Sequence, residues 1–384
     1  MRCERCQNTD PKYFYNDKGT YYCRRCIAFG RLDVGIVPKA YTYVPKRHRC
    51  NYDLEFQLTD QQLKASKEIV AHLAAGYDVL VYAACGAGKT ELTMEPLKQA
   101  LNAGKKVGIA ISRRQVVLEI AQRMQRAFKT LKVVPVCQGF TEITEGDLIV
   151  CTMHQLYRYH QAFDLLVMDE VDAFPYKGNE LLAAVARNSC KGRILYLTAT
   201  PDSAMQKEVS EGRLKMVELF QRPHGHPLVL PLIKQLPVPL QLVSLLMIMR
   251  QQKKPMLIFV PTIDLAQRYG LLFSPLFHCA SLTSKTIEKD QIISRLRKRE
   301  LDFIFTTTIL ERGITIPGVD VVVLQSDHPV FDEASLIQII GRVGRSRDCP
   351  SGMGVFYCIR KTTAIKRCVR ALEKMNETLV SNLF

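Results

Sequence analysis

Short runs of uninterrupted apolar residues, each followed by a stretch with helical spacing, occur in two successive blocks of the chain. This alternation limits the possible fold more than any other feature. The first block offers Val79–Ala83, Val107–Ile111, Leu148–Thr152, Leu165–Met168 and Ile194–Thr198; the second offers Met256–Val260, Phe303–Thr306 and Val319–Leu324. Runs that do not alternate with polar residues read as strands buried on both faces of a parallel sheet. Between two of them, Val117, Ile120, Ala121, Met124 and Phe128 recur at the spacing of one helix face. Strand–helix alternation in both blocks predicts two doubly wound α/β lobes in tandem, residues 51–222 and 237–384, with a cleft between them. Residues 223–236, opening Pro223-His224-Gly225-His226-Pro227, read as the linker, and residues 1–50, rich in Cys and Tyr, as a separate small module. A chain of 384 residues suits this division, being too long for one ordinary core.

Charge narrows the partner. Lys and Arg outnumber Asp and Glu by 53 to 37, a net +16, which favours a polyanion because each neutralised phosphate releases counterions. The alternative is a charge that serves solubility alone. No run approaches the roughly 20 apolar residues of a membrane span, and Leu242–Met249 has the length of a core helix segment. The N-terminal residues lack the apolar stretch of a signal peptide, so a cytosolic protein without disulfides is expected. Of 13 cysteines, four stand in a metal-type spacing, and most of the others read as small core residues.

Two motifs carry phosphate chemistry. Ala83-Ala84-Cys85-Gly86-Ala87-Gly88-Lys89-Thr90 follows a predicted strand and opens a predicted helix, the setting a phosphate loop requires. Gly86, Ala87 and Gly88 would turn backbone N–H groups onto the phosphates of ATP. Lys89 would reach the β and γ phosphates and Thr90 would hold Mg²⁺. The pattern departs from G-x-x-x-x-G-K-[ST] only at its first position, Ala83. Downstream, Leu165–Met168 delivers Asp169-Glu170-Val171-Asp172 at its C-terminal end, where open α/β sheets bind ligands. Asp169 suits a Mg²⁺ contact and Glu170 suits activation of the attacking water, while Asp172 is expected to bond to a neighbouring motif.

A third motif carries metal. Cys3-x-x-Cys6 and Cys23-x-x-Cys26 are separated by sixteen residues, a four-thiolate zinc spacing. Between the pairs, Asn16-Asp17-Lys18-Gly19 reads as a hairpin turn flanked by aromatic residues, the plan of a zinc ribbon. Arg24, Arg25 and the tyrosines suit phosphates and base stacking, although the rings also serve as the core of so small a module.

Read in order, these motifs resemble the superfamily 2 helicases. Leu58-Thr59-x-x-Gln62 resembles their adenine-reading segment, Ser112-Arg113 and Thr152–Leu156 two nucleic-acid contacts, and Thr198-Ala199-Thr200 the coupling motif after the carboxylates. In the second block, Thr306–Thr315 and Gln338-Ile339-Ile340-Gly341-Arg342-Val343-Gly344-Arg345 resemble the motif V and arginine motifs. The resemblance implies RecA-like lobes, adenine contact by Gln62, and DNA contacts by Arg113, Thr152, Thr307 and Thr308. It also implies that Arg342 and Arg345, three apart and expected on one helix, approach the γ-phosphate, so that ATP closes the lobes and hydrolysis releases them. Asp-Glu-Val-Asp and Gln338 point away from DEAD-box RNA enzymes.

The four-cysteine module ahead of a compact two-lobe motor is similar to the ComFA family, late-competence ATPases of transformable Gram-positive bacteria. That resemblance implies a DNA-stimulated ATPase that drives single-stranded DNA into the cytoplasm. It also implies ComFC and the membrane DNA-uptake channel as partners, and a cytoplasmic location, peripheral at the inner face of the membrane without insertion. Two other readings are a repair or replication-restart helicase that unwinds duplexes, and a zinc-containing nucleic-acid-binding scaffold without turnover. The compact second lobe leaves little room for a strand-separating wedge, which favours translocation over unwinding.

Overall fold

The computed structural model describes residues 1–311 and 316–381. They form two compact units: Met1–Tyr82 with Lys89–Leu219, and Ala83–Gly88 with Phe220–Phe384.

In the first unit, strands β1 (Phe14–Asp17) and β2 (Thr20–Cys23) pair antiparallel, with Asp17 opposite Thr20. Lys18 and Gly19 both take positive φ, +49° and +92°, as a two-residue hairpin turn demands, and Asn16 Oδ1 accepts from Gly19 N at 2.8 Å. The main sheet follows. Its strands are β3 (Asp78–Ala83), β4 (Val107–Ile111), β5 (Val133–Val136), β6 (Leu148–Thr152), β7 (Phe163–Asp169), β8 (Cys190–Thr198) and β9 (Leu214–Leu219), in the spatial order β5-β6-β4-β7-β8-β3-β9. Every residue of β4 is buried, as are Val79–Val81 of β3 and Leu165–Met168 of β7. Helices Met94–Asn102, Arg114–Ala127 and Glu180–Ser189 turn apolar faces toward the sheet, the second through Val117, Ile120, Ala121 and Met124.

The second unit carries β10 (Leu232–Gln235), β11 (Met256–Phe259), β12 (Cys279–Leu282), β13 (Phe303–Thr306), β14 (Asp320–Val323) and β15 (Gly354–Cys358), ordered β10-β15-β14-β11-β13-β12 with every neighbouring pair parallel. Both units are thus RecA-like parallel sheets with crossover helices, as expected. The segment read as linker, 223–236, contains edge strand β10, paired to β15 from Leu232 opposite Val355 to Gln235 opposite Cys358. Pro237 and Pro239 start the helix Val238–Gln251, where a missing N–H costs nothing.

The strands that sequence analysis did not find are mostly sheet edges. β5, β9, β10 and β12 terminate the two sheets, and each carries partly or fully exposed residues. An edge strand faces solvent on one side, so it lacks the continuous apolar run that marks a central strand. Among the described residues no helix is long and apolar enough to cross a membrane.

Candidate nucleotide site and four-cysteine centre

Parallel pairing brings the C-terminal ends of five strands of the first sheet together. Ile111 lies opposite Thr152, Ala110 opposite Met168, Asp169 opposite Leu197, and Tyr82 opposite Thr198. The register therefore collects the end of β3, from which the phosphate loop departs, with Ser112-Arg113 after β4, Thr152 at the end of β6, Asp169-Glu170 at the end of β7, and Thr198–Thr200 at the end of β8. Each group leaves a buried strand, so its backbone origin is fixed by the sheet.

In the phosphate loop, Gly86 and Gly88 hold φ of +83° and +90°, values a side chain disfavours, so these two glycines are what the turn needs. Ala83, Ala84 and Ala87 are fully buried beneath it. Lys89 and Thr90 are half-buried and begin the one-turn helix Lys89–Leu92, after which Thr93 Oγ1 donates to Thr90 O at 2.7 Å. The backbone thus has the shape and polarity to cradle phosphate oxygens.

The carboxylates differ among themselves. Burial pushes the Asp169 carboxyl up to about 7, Glu170 beside it pushes the same way, and the nearby Lys89 ammonium opposes both. Lys89 therefore stands near enough to act electrostatically on the Asp169 carboxylate. An oxygen ligand set poor in compensating charge suits a divalent cation, and the Thr90 hydroxyl with Asp169 fits Mg²⁺. Glu170 has φ +54°, a left-handed conformation that costs on the order of 1–3 kcal/mol in a non-glycine residue. Its Oε2 lies 3.4 Å from Ser112 Oγ. Asp172, 7% exposed, accepts from Thr200 Oγ1 at 2.7 Å, while Thr200 N donates to Thr198 Oγ1 at 3.0 Å. The expected bond between Asp172 and a neighbouring motif is present, and it ties β7 to the Thr198–Thr200 turn.

Other expected contacts take the following places. Gln62 is buried in the capping box of helix Asp60–Ala74, its Oε1 accepting from Thr59 N at 2.9 Å and Thr59 Oγ1 at 3.3 Å. Arg113 caps the helix Arg114–Ala127 by position, and Thr152 precedes the turn Met153–Arg158. Thr307 precedes the turn Thr308–Leu310 in the second unit, and residues 312–315 of that motif lie outside the described residues.

The two arginines are not on one helix. The helix Glu333–Ile340 stops with Gly341 as its cap, and Gly344 takes φ +63°, where a Cβ would collide with Pro350 O. Arg342 and Arg345 therefore stand on a turn, the first 5% exposed and the second on the surface. Spacing of three suggested a shared helix face; the two glycines end the helix before it reaches them. Sequence analysis also overlooked Arg222, which lies 1% exposed against this turn. An arginine before a proline in an apparent linker carries no local signal of burial.

The four cysteines of the N-terminal module are buried, with all four Sγ atoms within 4.8 Å of one another. Cys3 and Cys26 lie 3.7 Å apart, as do Cys6 and Cys23. Four thiolates at about 2.3 Å from a tetrahedral Zn²⁺ would stand about 3.8 Å apart, so the donor set and its spacing fit zinc. The module packs on its own unit: Phe29 stacks on Tyr157 at 5.0 Å, Asn188 Nδ2 donates to Glu4 O at 3.0 Å and Arg5 O at 2.9 Å, and Arg25 meets Glu180 at 2.7 Å.

Comparison with known proteins agrees with this construction. The DEAD/DEAH box helicase family matches residues 59–208, and the helicase conserved C-terminal domain matches residues 239–347. The fold of yeast (S. cerevisiae) Dbp5, in a complex with RNA and ADP BeF3, is similar with a TM-score of 0.58 at 19% identity, covering 83% of this chain and 91% of that one. Two RecA-like lobes with a phosphate loop and strand-end carboxylates define an ATP-hydrolysing, helicase-like enzyme of superfamily 2. Competence protein ComFA of Streptococcus pneumoniae is 35% identical over 395 residues, spanning 98% of this chain and 90% of that protein. The Bacillus subtilis ComFA is 30% identical over 397 residues, spanning 98% and 86%. The chain belongs to the ComFA family of competence proteins.

Proposed function

We propose that the chain is an ATP-driven motor that moves single-stranded DNA during DNA uptake in natural competence. The observation that carries this reading is the convergence of Lys89, Asp169, Glu170 and the Thr198–Thr200 turn at one sheet edge, in a chain whose relatives are competence proteins. Lys89 draws in the β and γ phosphates, and Gln62 addresses the adenine. Glu170 orients the attacking water and takes its proton as the γ-phosphoryl bond to ADP breaks. Arg342 and Arg345 neutralise the charge that develops on the transferred group. A Mg²⁺ held by Thr90 and Asp169 would add neutralisation of the phosphate oxygens. Zinc on Cys3, Cys6, Cys23 and Cys26 would serve as a structural crosslink.

Arg113, Thr152, Thr307 and Thr308 are the proposed DNA contacts, made to backbone phosphates and blind to sequence. The surplus of sixteen positive charges supports a polyanionic track. Partners are ComFC and the membrane DNA-uptake channel, which would place the motor at the cytoplasmic face of the membrane. Residues 1–50 take the zinc role, 51–222 the ATP role and 237–384 the second-lobe role, joined by the segment 223–236 whose last residues supply β10 to the second sheet.

ATPase rates with single-stranded DNA, duplex DNA and RNA, paired with strand displacement, test the proposal. Strong stimulation by single-stranded DNA without displacement is expected. Efficient unwinding would favour a repair helicase instead, and turnover indifferent to DNA would remove the motor reading.

A further inference from the structure

Arg222 is an arginine with 1% of its surface exposed, the largest fully buried side chain in the molecule's described residues. Among those residues its partners are all backbone carbonyls. Nη1 donates to Val343 O at 2.8 Å and Gly344 O at 2.7 Å, Nη2 to Gly341 O at 2.8 Å, and Nε to Cys85 O at 2.9 Å in the Ala83–Gly88 segment of the same unit. Four of the five guanidinium N–H groups are used. Three of the four acceptors belong to the turn that follows the helix Glu333–Ile340, where terminal carbonyls are left without intrahelical donors. A cation at that end also complements the helix dipole. His224 joins the same turn, its Nε2 lying 3.0 Å from Gly344 O.

Burying an arginine without a carboxylate is costly, and only a dense set of acceptors holds it there. Burial and the neighbouring Arg345 charge lower its pKa to about 10, so the group remains a cation at neutral pH. A simple core position would be better filled by an apolar side chain. What a planar guanidinium supplies, and an apolar group does not, is a fixed orientation of several carbonyls at once. The residues whose carbonyls it holds, 341, 343 and 344, interleave with Arg342 and precede Arg345.

We propose that Arg222 is a positioning residue for the arginine turn, holding the Gly341–Gly344 backbone so that Arg342 and Arg345 are presented in one geometry. This rests on the reading of Arg345 as a group that acts on the transferred phosphate. Gly344, with its positive φ, would otherwise leave the turn with alternative conformations, and a displacement of about 1 Å in such a group costs roughly 10²-fold in rate. Because the hydrogen bonds of Arg222 all go to backbone carbonyls, it acts through the arginines and not on the nucleotide.

The test measures ATP turnover, KM for ATP and thermal midpoint for Arg222→Lys, Arg222→Gln, Arg345→Ala and the double variant Arg222→Gln with Arg345→Ala. Lysine keeps the charge but loses the fork, so kcat should fall about tenfold with KM within about twofold. Glutamine should lower kcat about 10²-fold, and adding it to Arg345→Ala should cost less than about threefold more, since both changes remove one function. Multiplicative losses in the double variant, or a raised KM with kcat intact, would overturn the positioning role. Full activity of Arg222→Gln alongside a slow Arg345→Ala would overturn it too, while leaving the motor reading in place. Full activity of Arg345→Ala would instead remove the reading on which the proposal rests. Should the glutamine variant not fold, the lysine variant decides: unchanged kcat sinks the proposal, and a selective loss of kcat supports it.

Discussion

Lys89 with the carboxylates Asp169 and Glu170, and the four-cysteine module, belong to the same unit but are held in place by opposite means. At the nucleotide site the chemistry stands on strand ends, and the middles of those strands are buried in a seven-stranded sheet. In the module two four-residue strands enclose a core made of Cys3, Cys6, Cys23, Cys26 and Leu32, with Phe14, Phe29 and Leu181 against it. So small a core does not hold a fold by apolar burial, whereas the sheet needs no ligand to hold its shape. The comparison teaches that the chain has two seats of order, one intrinsic and one that a metal on the four cysteines would hold. Losing either should leave the other standing.

Lys89→Ala is the strongest way to break that independence. ATP turnover should fall below detection while zinc content and melting behaviour stay as in the parent, since Lys89 is half-buried and leaves the sheet intact. Wild-type turnover in this variant would remove the loop from the nucleotide site, and loss of zinc would show that the two seats are joined. Arg345→Ala comes next. A surface side chain on a turn contributes little to folding, so its removal should cost several kcal/mol of transition-state stabilisation, about 10²- to 10⁴-fold in rate, with no change in zinc. A smaller effect is expected from Thr200→Val, which removes the 2.7 Å bond to Asp172 and with it the link between β7 and the turn after β8. Basal turnover should persist while stimulation by single-stranded DNA drops about two- to thirtyfold, the range of about 0.5–2 kcal/mol of coupling. Unchanged stimulation would refute that role for the bond.

The same contrast explains what the sequence made legible. Central strands announce themselves because burial on both faces requires an unbroken apolar run, and Val107–Ile111 and Leu148–Thr152 are found to the residue. The phosphate loop is legible because Gly86 and Gly88 answer a local backbone requirement. The cysteine spacing is legible because a metal needs its ligands close and few loop lengths allow that. Edge strands such as Leu232–Gln235 were hidden by their exposure, and one strand, Gly354–Cys358, was hidden despite complete burial because it begins with glycine. The arginine turn misled for a different reason. Spacing of three fits a helix, but the helix ends where Gly341 and Gly344 stand and where a side chain 119 to 122 positions away in sequence meets the carbonyls. Interactions of that range leave no local pattern to read.

Cys23→Ser sharpens the comparison from the other side. Removing one of four thiolates should release zinc and loosen the hairpin, because binding energy and folding energy are one quantity in a module of this size. Basal ATP turnover should stay within about twofold of the parent, since no catalytic group lies in residues 1–33. Unchanged zinc stoichiometry would contradict the four-thiolate site, and collapse of turnover would show that the sheet leans on the module. The smallest effect belongs to Asn188→Ala, which deletes the two bonds to Glu4 O and Arg5 O while sparing every cysteine. At about 0.5–1.5 kcal/mol for each bond, it should lower the melting temperature by a few degrees and raise hydrogen exchange in the hairpin with zinc retained. The exposed Arg25–Glu180 pair adds too little to hide that loss. Exchange unchanged in the hairpin would mean that Phe29 on Tyr157 and Leu181 in the cysteine core suffice to seat the module, and the docking would then be apolar rather than hydrogen-bonded.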